Sequence, residues 1–433
     1  MKSKSSWYRW VILLVCMLIY CTAELIRWNY TGISGHLMTA WHINQADLGI
    51  LGSVFFYAYA IGQVPWGIAT DKFGGTRVIP VGLVVVAICM SAFVLSGSFH
   101  LAIFWRAVLG FVSGAAFIPA SQILTEWFSP KERGLAMTLF IGTGGGLGEI
   151  MSFLLMPIFT LLLTNGHSVF GFTSWKGSTI LTAVVVVIFA FISIIFLKHN
   201  PAVNNGHSSV KSMNYKQNTK KIFSDIKFWM FSLIWSGFTV GTRLIPAWLV
   251  LYATDYYLQT GVNKSKAVVF GGLLSTIYVL GRAIGTPIVG IVSDHLIKRG
   301  IPRTLIVFVV QFLMIFMYAA YIIQIHSVIY LGGLAFVTGI LINLVSMMNT
   351  IGSEYWSSDI YGTLVGLANM VGQFIGAGML AISGFMAIYF KSVGTGFYTQ
   401  FNGIWITGII YTIITTTLAF LFLKLTSAKR VAH

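Results

Sequence analysis

Acidic residues are scarce in this chain. Only 11 of 433 residues are Asp or Glu, against 27 Lys and Arg, and charged residues of both signs reach just 9%. Soluble domains carry roughly a quarter charged residues, so an ordinary soluble globular protein is excluded. Cysteine is nearly absent as well. Of the three, Cys16 and Cys21 lie within one apolar stretch, and no pair has metal-ligand spacing, so neither a disulfide scaffold nor a metal site is indicated. No nucleophile, metal or phosphate-loop constellation is present, so neither an enzyme nor a cofactor is expected. The formal charge of +16 does not gather on a soluble face but at the ends of apolar segments, which argues against a nucleic-acid partner.

What the chain has in abundance is apolar surface: 57% hydrophobic residues, 15% aromatics and 45 glycines. A spanning helix needs roughly 20 mostly apolar residues. Twelve stretches qualify: 9–39, 46–70, 78–97, 100–125, 134–163, 177–198, 228–258, 265–293, 304–325, 327–353, 361–390 and 400–424. The first runs past signal-peptide length and contains Glu24 and Arg27, so it reads as a retained helix rather than a cleaved leader. One long polar stretch, 199–227, separates the sixth from the seventh. The expectation is an all-α membrane protein of twelve transmembrane helices in two pseudo-symmetric six-helix bundles, 1–198 and 228–433, joined by a cytoplasmic linker, 199–227.

Charge sets the orientation. With the N-terminus inside, the segments facing out hold only Lys176, Lys264, Lys266 and Lys391, while the rest of the flanking Lys and Arg face in. That bias predicts a multi-pass protein of the cell inner membrane with both termini cytoplasmic. A monomer in the lipid bilayer is expected.

Four arginines interrupt the apolar segments: Arg27, Arg106, Arg243 and Arg282. A charge at membrane depth costs at least about 2.5–3.5 kcal/mol on insertion scales, so such residues usually face a wet cavity and a partner. Arginine suits anion capture because its planar fork stays charged and bonds carboxylate or phosphate at two points. Two carboxylates share that depth, Glu24 and Glu149. Glu24 lies one helical turn before Arg27 and can pair with it. Either a permanent salt bridge or a proton site that substrate switches would account for the two residues. Tyr57, Tyr59 and Gln63, Trp248, Asn343 and Asn349, and Asn369 and Gln373 are polar or amphipathic groups at cavity-plausible positions. Each alone could equally serve as interhelical glue.

The halves repeat. Gly67-Ile68-Ala69-Thr70-Asp71 matches Gly290-Ile291-Val292-Ser293-Asp294. Thr125-Glu126-Trp127-Phe128-Ser129 matches Ser353-Glu354-Tyr355-Trp356-Ser357, and Arg27 has a counterpart in Arg243. Parallel repeats of this kind are a transporter plan.

Gly67-x-x-x-Asp71-Lys72-x-Gly74-x-x-Arg77 resembles the loop-two signature of the major facilitator superfamily, and the resemblance covers essentially the whole chain. It implies a gating role for Asp71, Arg77 and, in the second half, Asp294. Within the superfamily, Arg27-Trp28-Asn29-Tyr30 and Gly241-Thr242-Arg243 are similar to organophosphate antiporters, in which the two arginines clamp phosphate. Trp127-Phe128-Ser129-Pro130-Lys131-Glu132-Arg133-Gly134 is similar to both those antiporters and the anion:cation symporters for sugar acids. Arg106-x-x-x-Gly110 is similar to a widespread superfamily motif whose arginine takes part in coupling in the sugar-acid group. The chain departs from the antiporters at Gly144, where they carry histidine. It departs from the symporters at Ile26 and Ser113, where they carry acids.

The resemblance therefore implies a secondary transporter moving a small organic anion (a sugar phosphate, a sugar acid or another carboxylate) by alternating access, with proton symport or counter-anion exchange. Arg27, Arg243, Arg106, Arg282, Tyr57, Trp248, Asn369 and Gln373 are the candidate substrate-binding residues, and Glu24 and Glu149 the candidate proton-coupling ones. Efflux of a drug or metal-chelating carboxylate is the alternative of the same class. A transporter-like ligand sensor is the alternative of another class.

Overall fold

In lipid no water is available to the backbone, so each spanning segment must satisfy its own N–H and C=O groups, and helices do that. The structure, a computed structural model, describes residues 2–129, 132–199, 222–323, 327–356, 358–394 and 399–430. The expected linker falls largely on 200–221, outside the described residues, as do Pro130 and Lys131. The helices are α1 (Lys2–Gly32), α2 (Gln45–Phe73), α3 (Gly75–Val94), α4 (Phe99–Trp127), α5 (Arg133–Thr164) and α6 (Ser174–Phe196). They continue with α7 (Ile226–Gln259), α8 (Lys264–Lys298), α9 (Arg303–Ile322), α10 (Val328–Leu341), α11 (Ser358–Val393) and α12 (Thr399–Arg430). Among the described residues, eleven are long and apolar enough to cross a membrane, and α10 is the shorter twelfth.

Two predicted segments break: the first, 9–39, at Ile33, beyond which helix resumes as Ser34–Trp41, and the tenth, 327–353. In the tenth, helix stops at Leu341 and resumes as Val345–Tyr355. Asn343 explains the break, because its side-chain Nδ2 donates to the Gly339 carbonyl at 3.1 Å, the acceptor its own backbone N–H would have used. Side-chain bonds of this kind offer the backbone an alternative to the helix. The fifth segment deviates in another way. Two π-helical turns, Leu139–Gly144 and Met151–Leu155, flank the regular turn Gly145–Ile150 that carries Glu149. Gly142, Gly144, Gly145 and Gly146 weaken the helix there, and π-turns gather at functional sites.

The chain divides into two compact units. One comprises Met1–Asn44, Leu51–Gly206 and Ala247–Thr276; the other comprises Gln45–Ile50, His207–Pro246 and Ile277–His433. Lipid tails are as apolar as leucine, so close packing and polar contacts, not water exclusion, must hold such helices together. In the first unit α1 is the buried centre. Trp28, 1% exposed, packs between Phe56 and Phe153 with ring centroids at 5.6 and 5.8 Å. In the second unit the core runs through Phe231, Trp235, Met347, Leu364 and Phe422. There the first turn of α2 is seated on α11 and α12: Gln45 donates to Gln400 at 2.9 Å, both side chains being buried.

Candidate functional sites around the membrane-depth arginines

Tyr20, Glu24 and Arg27 recur at helical spacing on α1 and share a face. Glu24 and Arg27 are 3% and 7% exposed and form an ion pair, Arg27 Nη1 donating to Glu24 Oε1. The Arg27 guanidinium lies 4.8 Å from the centroid of the Tyr59 ring of α2, within cation–π range. Tyr20 and Glu149 lie within electrostatic reach of the same guanidinium. Glycine brings Glu149 there. A side chain at Gly148 would strike the Cys21 carbonyl and meet Glu24 Cβ at 2.9 Å, and one at Gly145 would meet the Tyr20 ring at 2.8 Å. The glycine face of α5 thus lets it approach α1 directly at the charged turn. Arg27 Nε, though buried, makes no hydrogen bond among the described residues. The same holds for Arg106 Nε, so an orphan Nε does not by itself mark an anion ligand.

Arg106 on α4 is placed differently. At 1% exposed it is the most enclosed of the four arginines, and its fork closes on the α1 backbone. Nη1 donates to the Ile26 carbonyl and to Asn29 Oδ1, both at 3.1 Å, and Nη2 donates to the Arg27 carbonyl at 2.7 Å. The rings of Tyr30 and Phe55 lie 4.7 and 4.5 Å from its guanidinium carbon. The glycine of Arg106-x-x-x-Gly110 has a matching role: a Cβ there would strike the Phe55 carbonyl, so its absence lets α4 sit against α2 at Phe55.

Arg243 on α7 is 7% exposed and donates through Nη2 to Gln373 Oε1 at 2.6 Å; Gln373 in turn donates to Asn369 Oδ1 in a long bond of 3.4 Å. Three residues expected at a substrate site from sequence thus form one hydrogen-bonded chain. Gly372 and Gly376, one turn apart on α11, permit it. A Cβ at Gly372 would meet Thr239 Oγ1 at 2.9 Å, and one at Gly376 would meet Arg243 Cγ at 3.4 Å.

The remaining candidates are scattered. Arg282 is half-buried on α8, where Asn343 Nδ2 donates to its carbonyl at 2.8 Å. Tyr57 is half-buried, and Tyr59, about 200° further round α2, is the tyrosine that meets Arg27. Trp248 is fully buried in the first unit. Asp71 and Arg77 are exposed at the junction of α2 and α3, and neither side chain makes a hydrogen bond or ion pair among the described residues. Asp294, in contrast, lies 3.7 Å from Arg303 Nη2, and Arg303 Nη1 also pairs with Glu354.

Sequence reasoning passed over several of these partners. Arg303 was findable: Arg77 and Arg303 each stand three residues after a glycine, Gly74 and Gly300, beyond the matched Asp71 and Asp294. Tyr20 was findable by its spacing from Glu24. That Asn29 would receive Arg106 had no signal in one sequence, because it depends on how α1 and α4 meet. His199 is a further contact without warning. Its ring bonds Thr76 Oγ1 at 3.1 Å and lies 3.9 Å from Glu126, above Gly74, whose missing Cβ leaves it room.

The likeness to known proteins agrees with this architecture. A probable hexose phosphate transport protein of Chlamydia trachomatis is 21% identical over 69% of this chain and 67% of its own. A probable galactarate/D-glucarate transporter, GarP, of Escherichia coli is 24% identical over 70% of this chain and 71% of its own. The crystal structure of a bacterial homolog to the human lysosomal transporter Spinster superposes with a TM-score of 0.79 at 17% identity, covering 98% of this chain and 97% of that one. A family profile described as the Major Facilitator Superfamily matches residues 16–381. The chain belongs to the Major Facilitator Superfamily and is a multi-pass membrane transporter, not an enzyme.

Proposed function

We propose that the protein is a secondary active transporter of a small organic anion, working by alternating access as a monomer of the cell inner membrane with both termini cytoplasmic. Arg27 in the first unit and Arg243 in the second are assigned as anion ligands. The observation that carries this reading is the character of their partners. Each arginine is buried, yet each is held by a side chain that an incoming anion can replace, Glu24 in one case and Gln373 in the other. Carboxylate and phosphate can accept from a guanidinium fork at two oxygens, where the Gln373 amide offers one. The relatives named for hexose phosphate and for galactarate and D-glucarate support an anionic substrate of sugar size.

Proton symport is favoured over anion exchange by the charge in the first unit. Its buried acids and bases among the described residues are Arg27, Arg106, Glu24 and Glu149. Those charges balance, so an anion arriving at Arg27 leaves one negative charge in excess unless a proton arrives with it. Glu24, displaced from Arg27, is the group assigned to take it, with Glu149 beside it. Asp71, Arg77 and Asp294 are assigned to gating, since an acid in the last turn of α2 faces the negative end of the helix dipole and has a conformational use instead.

The test is ligand-dependent stabilisation of the purified protein with glucose 6-phosphate, D-glucarate, galactarate and sulfoacetate, with glucose as the neutral control. A ligand at 100 times its Kd stabilises by about 2.7 kcal/mol. One or more anions should raise the melting temperature while glucose does not. An equal response to glucose, or none to any anion, contradicts the reading.

A further inference from the structure

We infer that Arg106 is a positioning residue: it fixes the turn of α1 from which Arg27 and Glu24 project, and it does not itself touch the transported anion. The inference rests on the proposal that Arg27 binds that anion. It begins with where the fork is used. A guanidinium has five N–H donors and no acceptor. Arg106 uses Nη1 on the Ile26 carbonyl and Asn29 Oδ1 and Nη2 on the Arg27 carbonyl. The Ile26 and Arg27 carbonyls are already acceptors within α1, and each carbonyl oxygen has a second lone pair to offer.

The location makes such a clamp useful. α1 is interrupted after Gly32 and helix resumes at Ser34–Trp41, so the Ile26 and Arg27 carbonyls lie within two turns of a break in the helix. A fixed cation there also meets the negative end of the helix dipole. The guanidinium is itself immobilised, with Tyr30 and Phe55 rings within 5 Å and 1% of the residue exposed. The Arg27-x-Asn29-Tyr30 stretch therefore divides into a ligand, Arg27, and a socket, Asn29 and Tyr30, whose occupant is Arg106. The socket is completed by Phe55, which Gly110 lets α4 approach. A site whose cation must exchange partners during each cycle needs its backbone held still, and a 1 Å error in placement is costly.

Two measurements on the full-length protein in detergent decide the matter. The first is amide hydrogen exchange of α1 without any ligand. Arg106→Lys keeps the charge but loses the planar fork that holds the two carbonyls and the Asn29 amide oxygen in fixed geometry. It should raise exchange in the peptide covering residues 24–31 by about tenfold, with the other helices unchanged. The second is affinity for glucose 6-phosphate or D-glucarate, whichever stabilises the unmodified protein, compared with thermal stability. Arg106→Lys should weaken binding about tenfold, and Asn29→Leu, which leaves the Arg106 charge in place and removes one of its three bonds, should weaken binding by a smaller factor that follows its smaller rise in α1 exchange. Should Arg106→Lys fail to fold, Asn29→Leu removes one of the three bonds and should show the same α1-specific exchange to a smaller extent.

Unchanged α1 exchange in the Arg106 and Asn29→Leu proteins overturns the inference. So does an Asn29→Leu protein whose α1 exchange rises while its affinity stays unchanged, because affinity would then not follow the hold on α1. If none of the probes binds the unmodified protein, the anion reading fails, while the exchange measurement still decides whether Arg106 holds α1.

Discussion

The two units hold their arginines in opposite ways. In the first, Arg27 is paired with a carboxylate, a second carboxylate lies within reach, and a second arginine is locked onto the backbone. In the second, Arg243 is the one fully buried acidic or basic side chain among the described residues, and its hydrogen-bond partner Gln373 is a neutral amide. Removing a carboxylate from an arginine exposes a charge that must find a proton or a new partner; removing an amide exposes no net charge. The difference teaches that pseudo-equivalent arginines carry different duties. On the proposed function, Arg27 would tie binding to protonation through Glu24, a coupling that the Gln373 amide cannot give Arg243.

Four outcomes break or sharpen that contrast. The largest effect is expected when either fork is lost. Arg243→Lys and Arg27→Lys should insert normally and weaken anion binding about 10- to 100-fold, the equivalent of one charge-assisted hydrogen bond of about 1.5–3 kcal/mol. Equilibrium binding measured on both proteins checks it; unchanged affinity in both removes the assignment. Gln373→Glu should then make the second unit resemble the first. Arg243 would acquire a carboxylate that competes with the anion, so affinity should fall about tenfold at neutral pH and recover as the pH is lowered. A pH series of titrations tests this, and a pH-independent loss would point to a packing defect instead.

Glu24→Gln is the reciprocal change and makes the first unit resemble the second. Substrate exchange in liposomes should persist, while accumulation driven by a proton gradient is lost. Proton-driven accumulation that survives would eliminate Glu24 and leave Glu149. The smallest effect on affinity belongs to the loop. Asp71→Asn should leave binding within about twofold and slow turnover, because Asp71 is exposed and its side chain makes no hydrogen bond or ion pair among the described residues. Reduced affinity with normal cycling per bound substrate would count against the gating role.

Most of the architecture was legible because its cause is local. Composition, segment length and flanking charge depend on the sequence alone, and the helices follow the expected stretches closely, with α6 at Ser174–Phe196 against an expected 177–198. Segment ten misled by one residue: hydropathy cannot see that Asn343 bonds the Gly339 carbonyl and ends α10. The Glu24–Arg27 pair was readable from spacing, as partners one turn apart on a helix must meet. The Arg243–Gln373–Asn369 chain was legible only in part. The residue types stood out as polar groups in apolar segments, but their meeting depends on Gly372 and Gly376 admitting α7 to α11. Arg106 is the residue whose role one sequence shows least. Its depth announced a cation with a purpose, yet nothing in one sequence says that the partners are two carbonyls of a different helix.

The most direct test of the central claim is the number of protons taken up when the anion binds. It can be measured by calorimetry in buffers of different ionisation enthalpy, using the anion that stabilises the protein best. The unmodified protein should take up about one proton per anion at neutral pH, so that binding tightens as pH falls, and Glu24→Gln should bind the same anion with uptake near zero. Equal proton uptake by the two proteins would contradict the account, because the carboxylate that holds Arg27 would then have no part in the exchange.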